Sequence, residues 1–318
     1  MTNVTQNLDN RESGQITIGA CYRLPDFEFW NADSLIKMKE LPDNSVKCIL
    51  TDPPYKYLKN QKLEVDFDET IFFNEVKRVL KSDGFIVLFG RGTSFYRWNY
   101  MLSELGFIFK EEICWNKKYT SSPVTPITRV HETISIHSKN KGVVNNDVKI
   151  PYLESKQDID SIKMDISRIL SAIGNVDSLK AIIHYLETGE IGISKRNMPV
   201  GNGITVQSKL PKLDRGATNV MSICEGFKLK SIVDELPDRF NSIHPTQKPV
   251  RLLERLLALT TKEGDLVLDA FAGSCSTGHA CLNTKRKFIG YEIDREYYEK
   301  AVERIKAVEP NLFSSGCL

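Results

Sequence analysis

The tetrapeptide Asp52-Pro53-Pro54-Tyr55 follows directly on the apolar run Val46-Lys47-Cys48-Ile49-Leu50-Thr51 and brings together a carboxylate, a rigid turn and an aromatic face. Two prolines fix φ and supply no backbone N–H, so they end a strand and leave carbonyl oxygens unclaimed by a ladder. Asp52 and the Pro53 carbonyl can accept the two hydrogens of an exocyclic amino group. The Tyr55 ring can stack on the planar base that carries it, as in sites that work on a flipped nucleotide. Taken alone, the tetrapeptide also fits a plain strand and turn with an exposed tyrosine.

A second candidate lies late in the chain, where Leu266-Val267-Leu268-Asp269 opens into Ala270-Phe271-Ala272-Gly273-Ser274-Cys275-Ser276-Thr277-Gly278. Small residues at a helix N-terminus let a nucleotide cofactor approach the backbone. Gly273 and Gly278 are spaced as in a P-loop, but His279-Ala280 stand where that motif needs Lys and Ser or Thr, which argues against ATP. The dinucleotide fingerprint is absent too. Asp269 at the strand end suits a cationic amino acid moiety better than a pyrophosphate. Glu292 ends the next strand, where an acid can accept from ribose hydroxyls. Simple helix capping is the alternative for both acids.

The elements that must position these residues alternate in type. Strands are expected at Phe27–Trp30, Val46–Thr51, Phe85–Phe89, Phe107–Trp115, Glu132–His137, Leu266–Asp269 and Lys287–Tyr291. Helices are expected from Asp33 or Ser34 to about Glu40, from Thr70 until Asp83-Gly84 stops it, over Ser94–Leu105, from Pro249, up to about Thr284, and over Asp294–Lys306. The all-apolar run Phe85–Phe89 implies a strand buried on both faces, hence a parallel sheet between helical layers. The fold class is therefore α/β, with one doubly wound sheet. Residues 1–26 read as a flexible arm, 27–140 and 243–318 as the catalytic domain, and 141–242 as an insertion. Within the insertion, Ile162, Ile166, Ile169, Leu170 and Ile173, then Leu179, Ile182, Ile183 and Leu186, suggest an αα-hairpin. Its second helix has few long polar side chains, which favours packing over a helix-turn-helix DNA reader.

Composition sets further bounds. The 318 residues carry a net charge of +2, so nucleic-acid contact must rest on local patches. Lys117, Lys118, Arg129, Lys139 and Lys141 form one patch, and Lys195, Arg196, Lys209, Lys212 and Arg215 another. Either can contact phosphates or be merely a solvated face. The cysteines are scattered, without Cys-x-x-Cys pairs or zinc-type His spacing, and read as reduced thiols with no metal site. No signal pattern and no stretch of about 18 apolar residues is present, so a soluble, cytoplasmic protein with no membrane partner is expected.

Taken together, these motifs make the chain resemble the S-adenosylmethionine-dependent DNA amino-methyltransferases. Asp52-Pro53-Pro54-Tyr55 is similar to the family's catalytic motif, Phe271-Ala272-Gly273-Ser274-Cys275 to its cofactor loop, and His244-Pro245-Thr246-Gln247-Lys248-Pro249 to the segment before that loop. Asn31-Ala32-Asp33-Ser34, Cys114-Trp115-Asn116-Lys117 and Arg129-Val130-His131-Glu132 also resemble family stretches. Catalytic motif first and cofactor loop late is the order of the circularly permuted β subgroup. Cys275 departs from the pattern, since the family usually has a second glycine there.

The resemblance implies a mostly parallel seven-stranded sheet and S-adenosyl-L-methionine as cofactor. Asp33 is implied at its adenine end, Glu292 at the ribose, and Asp269 with Phe271, Ala272, Gly273 and Ser274 at the methionine end. Lys248 is a candidate for the methionine carboxylate. Asp52, Pro53, Pro54 and Tyr55 are implied as catalytic, acting on adenine N6 of double-stranded DNA, with 141–242 as target-recognition region. An aspartate at position 52 favours adenine, because members acting on cytosine N4 more often carry serine. Cytosine N4, RNA or a protein glutamine as substrate, or a non-catalytic DNA-binding module, stay open. The family also leaves room for a cognate restriction endonuclease and a homodimer.

Overall fold

Strand formation begins at Cys21, inside the segment expected to be a flexible arm. The computed structural model describes residues 19–55, 66–118, 130–150, 159–173, 215–237 and 242–314, with His184, Thr188 and Glu190. β1 (Cys21–Leu24) pairs antiparallel with β2 (Phe27–Asn31). The turn between them is made by Asp26, which takes positive φ. The arm is thus corrected: its last residues form an edge strand, and residues 1–18 lie outside the described residues.

After β2, Asp33 caps the short helix α1 (Ser34–Lys37) by accepting from the Leu35 N–H at 2.8 Å. β3 (Val46–Thr51) follows, then α2 (Glu69–Val79) and β4 (Leu80–Gly90). Two expectations need correction here. Asp68, not Thr70, caps α2, and the helix stops at Val79, well before Asp83-Gly84. Leu80 pairs with Val46, so it is drawn into the sheet and the chain extends at once. α3 (Gly92–Glu104), β5 (Ile108–Asn116) and β6 (His131–Ser138) complete the first half.

By contact the chain divides into two units, 1–146 with 230–318, and 147–229. The second contains β7 (Lys149–Ile150), α4 (Ile159–Ile173), α5 (Arg215–Glu225) and β8 (Phe227–Lys228), with β7 and β8 antiparallel and α4 packed on α5. The expected second helix at Leu179–Leu186 lies largely outside the described residues. Both ends of this unit fall inside the expected 141–242. The downstream difference has a clear cause: β9 (Ile232–Asp234) pairs in parallel with β5 and so belongs to the main sheet.

The first unit resumes with α6 (Val250–Thr260), β10 (Leu266–Asp269), α7 (Ser276–Asn283), β11 (Lys287–Glu292) and α8 (Arg295–Ser314). The sheet runs β1-β2-β11-β10-β3-β4-β6-β5-β9. The seven expected strands are its middle, and β1 and β9 add two short edges. β6 runs against its neighbours β4 and β5, and the joins from β2 through β4 are all parallel. α1, α2 and α3 cover one face and α6, α7 and α8 the other. The run Phe85–Phe89 is buried throughout, as a strand between two helical layers must be.

Candidate active site

β2, β11, β10, β3 and β4 are consecutive parallel neighbours, so their carboxyl ends meet at one edge of the sheet. Chain order reverses between β3 and β10, and ligands of open α/β sheets collect at such a switch. Thr51 Oγ1 donates to Asp269 Oδ1 at 2.9 Å, a direct bond across 218 residues of sequence. Asp52 and the cofactor-type loop are therefore neighbours in space. They line a cleft of about 640 Å³, and the residues implied as catalytic or cofactor-binding all line it: Asp33, Asp52–Tyr55, Lys248, Asp269, Phe271–Ser274 and Glu292.

The loop is fixed by backbone bonds to β11. Ala272 N–H donates to the Tyr291 carbonyl at 2.9 Å, and Gly273 N–H to Glu292 Oε2 at 2.8 Å. Asp294 N–H takes the other oxygen, Glu292 Oε1, at 2.7 Å. Gly273 has φ +52, and a Cβ there would meet only the His244 ring at 3.5 Å. The family's second glycine also has a backbone reason: Cys275 sits at φ 57, in the left-handed region that glycine enters freely. Its thiol is buried, and that burial raises its pKa far above the ordinary value, so it packs rather than reacts.

Asp269 accepts from Thr277 Oγ1 at 2.6 Å and from the Phe271 N–H at 3.2 Å, in addition to Thr51. Burial pushes its pKa up to about 6 against the pull of those donors. Burial likewise pushes Glu292 up to about 7. A ligand that brings a cation and hydroxyls would favour the ionised form of both acids. Beside them, Phe271 packs on Phe67 at 5.0 Å between ring centroids, an apolar wall for a planar group. Burial, with Lys248 nearby, lowers His244 to about 4, so it stays neutral and packs on Tyr297 at 4.3 Å.

At the other end, Tyr55 Oη donates to Asp52 Oδ1 at 2.5 Å, and Ser94 Oγ to the Tyr55 carbonyl at 2.6 Å. Lys248 Nζ donates to Asp52 Oδ2. The ammonium expected at a methionine carboxylate is thus bonded to the catalytic-motif carboxylate. It also pairs with Glu132 Oε2 at 3.3 Å, while Lys117 Nζ donates to Glu132 Oε1 at 2.7 Å. Burial pushes Asp52 up, against the pull of Lys248 and with a push from Glu132. Burial also acts against the charged Glu132, yet Lys248 and Lys117 hold it below its ordinary value. Lys248, which burial alone would neutralise, is held charged by Asp52 and Glu132.

Glu132 is a site residue to which the sequence reading assigns no role, although Arg129-Val130-His131-Glu132 is among the family-like stretches. Its place in the cleft follows from the antiparallel course of β6, which brings the strand's first residues to the edge where β4 ends. Three lysines of the first basic patch are spoken for: Lys117 by Glu132, Lys118 by Asp234 at 3.7 Å, and Lys139 by the Leu80 carbonyl at 2.7 Å and Asn44 Oδ1 at 2.8 Å. Arg129 and Lys195–Lys212 lie outside the described residues.

The model of the DNA methylase family, N6 and N4 methyltransferases, matches residues 46–303. The chain belongs to the N6/N4 DNA methylase family. Among relatives of this methylase, the DNA adenine methyltransferase YhdJ of Escherichia coli (strain K12) is 27% identical over 283 residues, covering 86% of this chain and 81% of that protein. The type II methyltransferase M.HinfI of Haemophilus influenzae is 25% identical over 306 residues, covering 88% and 68%. Two solved structures share the fold. The PvuII DNA methyltransferase, described as cytosine-N4-specific, has a TM-score of 0.54 at 16% identity and covers 91% of this methylase and 93% of that chain. The M1.HpyAVI–SAM complex gives 0.50 at 20% identity, covering 87% and 99%.

Proposed function

We propose that this methylase transfers the methyl group of S-adenosyl-L-methionine to adenine N6 in double-stranded DNA at a defined sequence, after flipping the target base. The observation that carries the reading is the bond from Thr51 to Asp269, which ties the Asp52–Tyr55 lip to the acidic loop in one cleft. The adenine assignment is supported by Asp52 and by the printed name of the Escherichia coli relative.

The donor set fits the cofactor. Asp269 and the Phe271–Ser274 loop would hold its amino acid end, Glu292 its ribose hydroxyls and Asp33 its adenine end. When bound, the cofactor supplies a sulfonium-activated methyl group for in-line transfer. The target nitrogen is a weak nucleophile because its lone pair is delocalised into the ring. Asp52 and the Pro53 carbonyl accept its hydrogens, favour an sp³-like nitrogen and stabilise developing positive charge. Tyr55 holds the flipped base by stacking, worth about 1–3 kcal/mol in comparable contacts. Positioning between the two ends supplies the rest.

Residues 147–229 are assigned to target recognition, since the catalytic unit's own elements are consumed by sheet and cleft. A cognate restriction endonuclease, a homodimer and a cytoplasmic location belong to the same reading. Methylation-sensitive sequencing of DNA from cells expressing the chain tests it, with N6-methyladenine in one sequence context as the expected result. Cytosine methylation alone would overturn the choice of base, and unmodified DNA would overturn the function.

A further inference from the structure

Both oxygens of Asp52 are engaged in the free protein, Oδ1 by Tyr55 and Oδ2 by Lys248. Each oxygen keeps a second lone pair, but the ammonium on Oδ2 competes with an incoming amino group for that position. An amino group seated at Oδ2 displaces Lys248, and a buried ammonium that moves needs another acceptor. The Lys248 side chain is 9% exposed, and besides Asp52 its Nζ donates to the Thr246 carbonyl only at 3.4 Å. Glu132 Oε2 lies 3.3 Å from Nζ as an ion pair, is buried, and receives no aligned hydrogen bond. Its other oxygen is held by Lys117, which fixes the carboxylate where it stands.

We propose that Glu132 is a positioning residue that takes Lys248 from Asp52 when the target base enters, so that Asp52 Oδ2 becomes free for the amino group. The exchange moves one hydrogen bond over a short distance and transfers no proton. The cluster of Asp52, Glu132, Lys117 and Lys248 holds two negative and two positive charges before and after, so no net charge is buried by the handover. The Phe89 ring, 5.1 Å from Nζ, walls the ammonium in on the side of β4. Lys248 is thereby a gate on the acceptor, and Glu132 sets how easily it opens.

This inference rests on the reading that Asp52 receives a target amine. Its test is a double-variant cycle with E132Q and K248M, assayed on a duplex carrying the recognition sequence. E132Q removes the charged second seat and leaves Lys248 a neutral amide oxygen and the Thr246 carbonyl at 3.4 Å, and losing one charge-assisted hydrogen bond from the exchange corresponds to about tenfold or more in kcat. Cofactor affinity by calorimetry should stay within about twofold of wild type. On the K248M background there is no ammonium to displace, so E132Q should change kcat by less than about twofold. Should E132Q not fold, E132D keeps the charge but withdraws it by one methylene, and carries the same expectation of a kcat loss at unchanged cofactor affinity. Wild-type kcat in E132Q or E132D, or an undiminished E132Q effect in K248M, overturns the handover while wild-type methylation upholds the function. A wild-type protein that methylates nothing sinks both.

Discussion

In the proposed mechanism Asp52 acts by accepting hydrogen bonds, so removing its oxygens should remove the reaction and little else. Asp52→Ala is expected to lower methylation of a defined duplex by about 10²-fold or more, with cofactor affinity by calorimetry nearly unchanged. Retained turnover would contradict the mechanism. The acids at the cofactor end make a separate prediction. Glu292 has an ordinary value of 4.5 and is pushed by burial to about 7 in the folded protein. Between those values the folded state keeps a proton that the unfolded chain has lost, so ligand-free stability falls as pH rises through that window. A cation and hydroxyls prefer both acids ionised, so S-adenosylmethionine should bind more tightly as pH rises, levelling above about pH 8. Calorimetry should show affinity roughly tenfold to twentyfold weaker at about pH 6 than at about pH 7.5, with proton release on binding. A flat profile would remove Glu292 and Asp269 from the contact.

At the level of elements, the cofactor loop depends on how closely α7 lies against the sheet. Gly278 is the contact point: a Cβ there would come within 2.5 Å of Cys275 Sγ, 2.9 Å of Phe288 and 3.0 Å of Phe27. Gly278→Ala should therefore cost about 1–3 kcal/mol through overpacking, seen as a melting temperature lowered by several degrees. An unchanged melting curve would mean that α7 has room to move. The same element explains what the sequence could say about the loop. Asp269, Gly273 and Gly278 mark a tight strand-to-helix turn from their types alone, and the turn is where they put it. The bond from Gly273 N–H to Glu292 had no local signal, because it joins two strands through their pairing. The end of α2 was misread for a related reason. Asp83-Gly84 is a good helix stop by propensity, but pairing of Leu80 with Val46 extended the chain earlier.

For the whole molecule, the near-neutral charge means that DNA affinity must come from few residues. Lys117 and Lys139 are already bonded within the catalytic unit, which shifts the expectation to Lys195 and Arg196. Neutralising both should weaken duplex binding and flatten the slope of log K against log salt by about 2. An unchanged slope, measured by fluorescence anisotropy across salt concentrations, would take them out of the interface. Among the described residues no helix is long and apolar enough to cross a membrane.

By itself the sequence determined the α/β class, the buried parallel strands and the two segments that line the cleft. Those features depend on residue type and local spacing: prolines that end a strand, small residues at a helix start, apolar runs that need two covered faces. Tertiary structure decided which charges meet. That β6 runs antiparallel and delivers Glu132 to the cleft, that Lys248 bonds Asp52, and that Cys21–Leu24 and Ile232–Asp234 add edges to the sheet are all consequences of strand pairing between distant segments. Pairing energy depends on the partner as much as on the strand, so no window of sequence around Glu132 or Lys248 contains it.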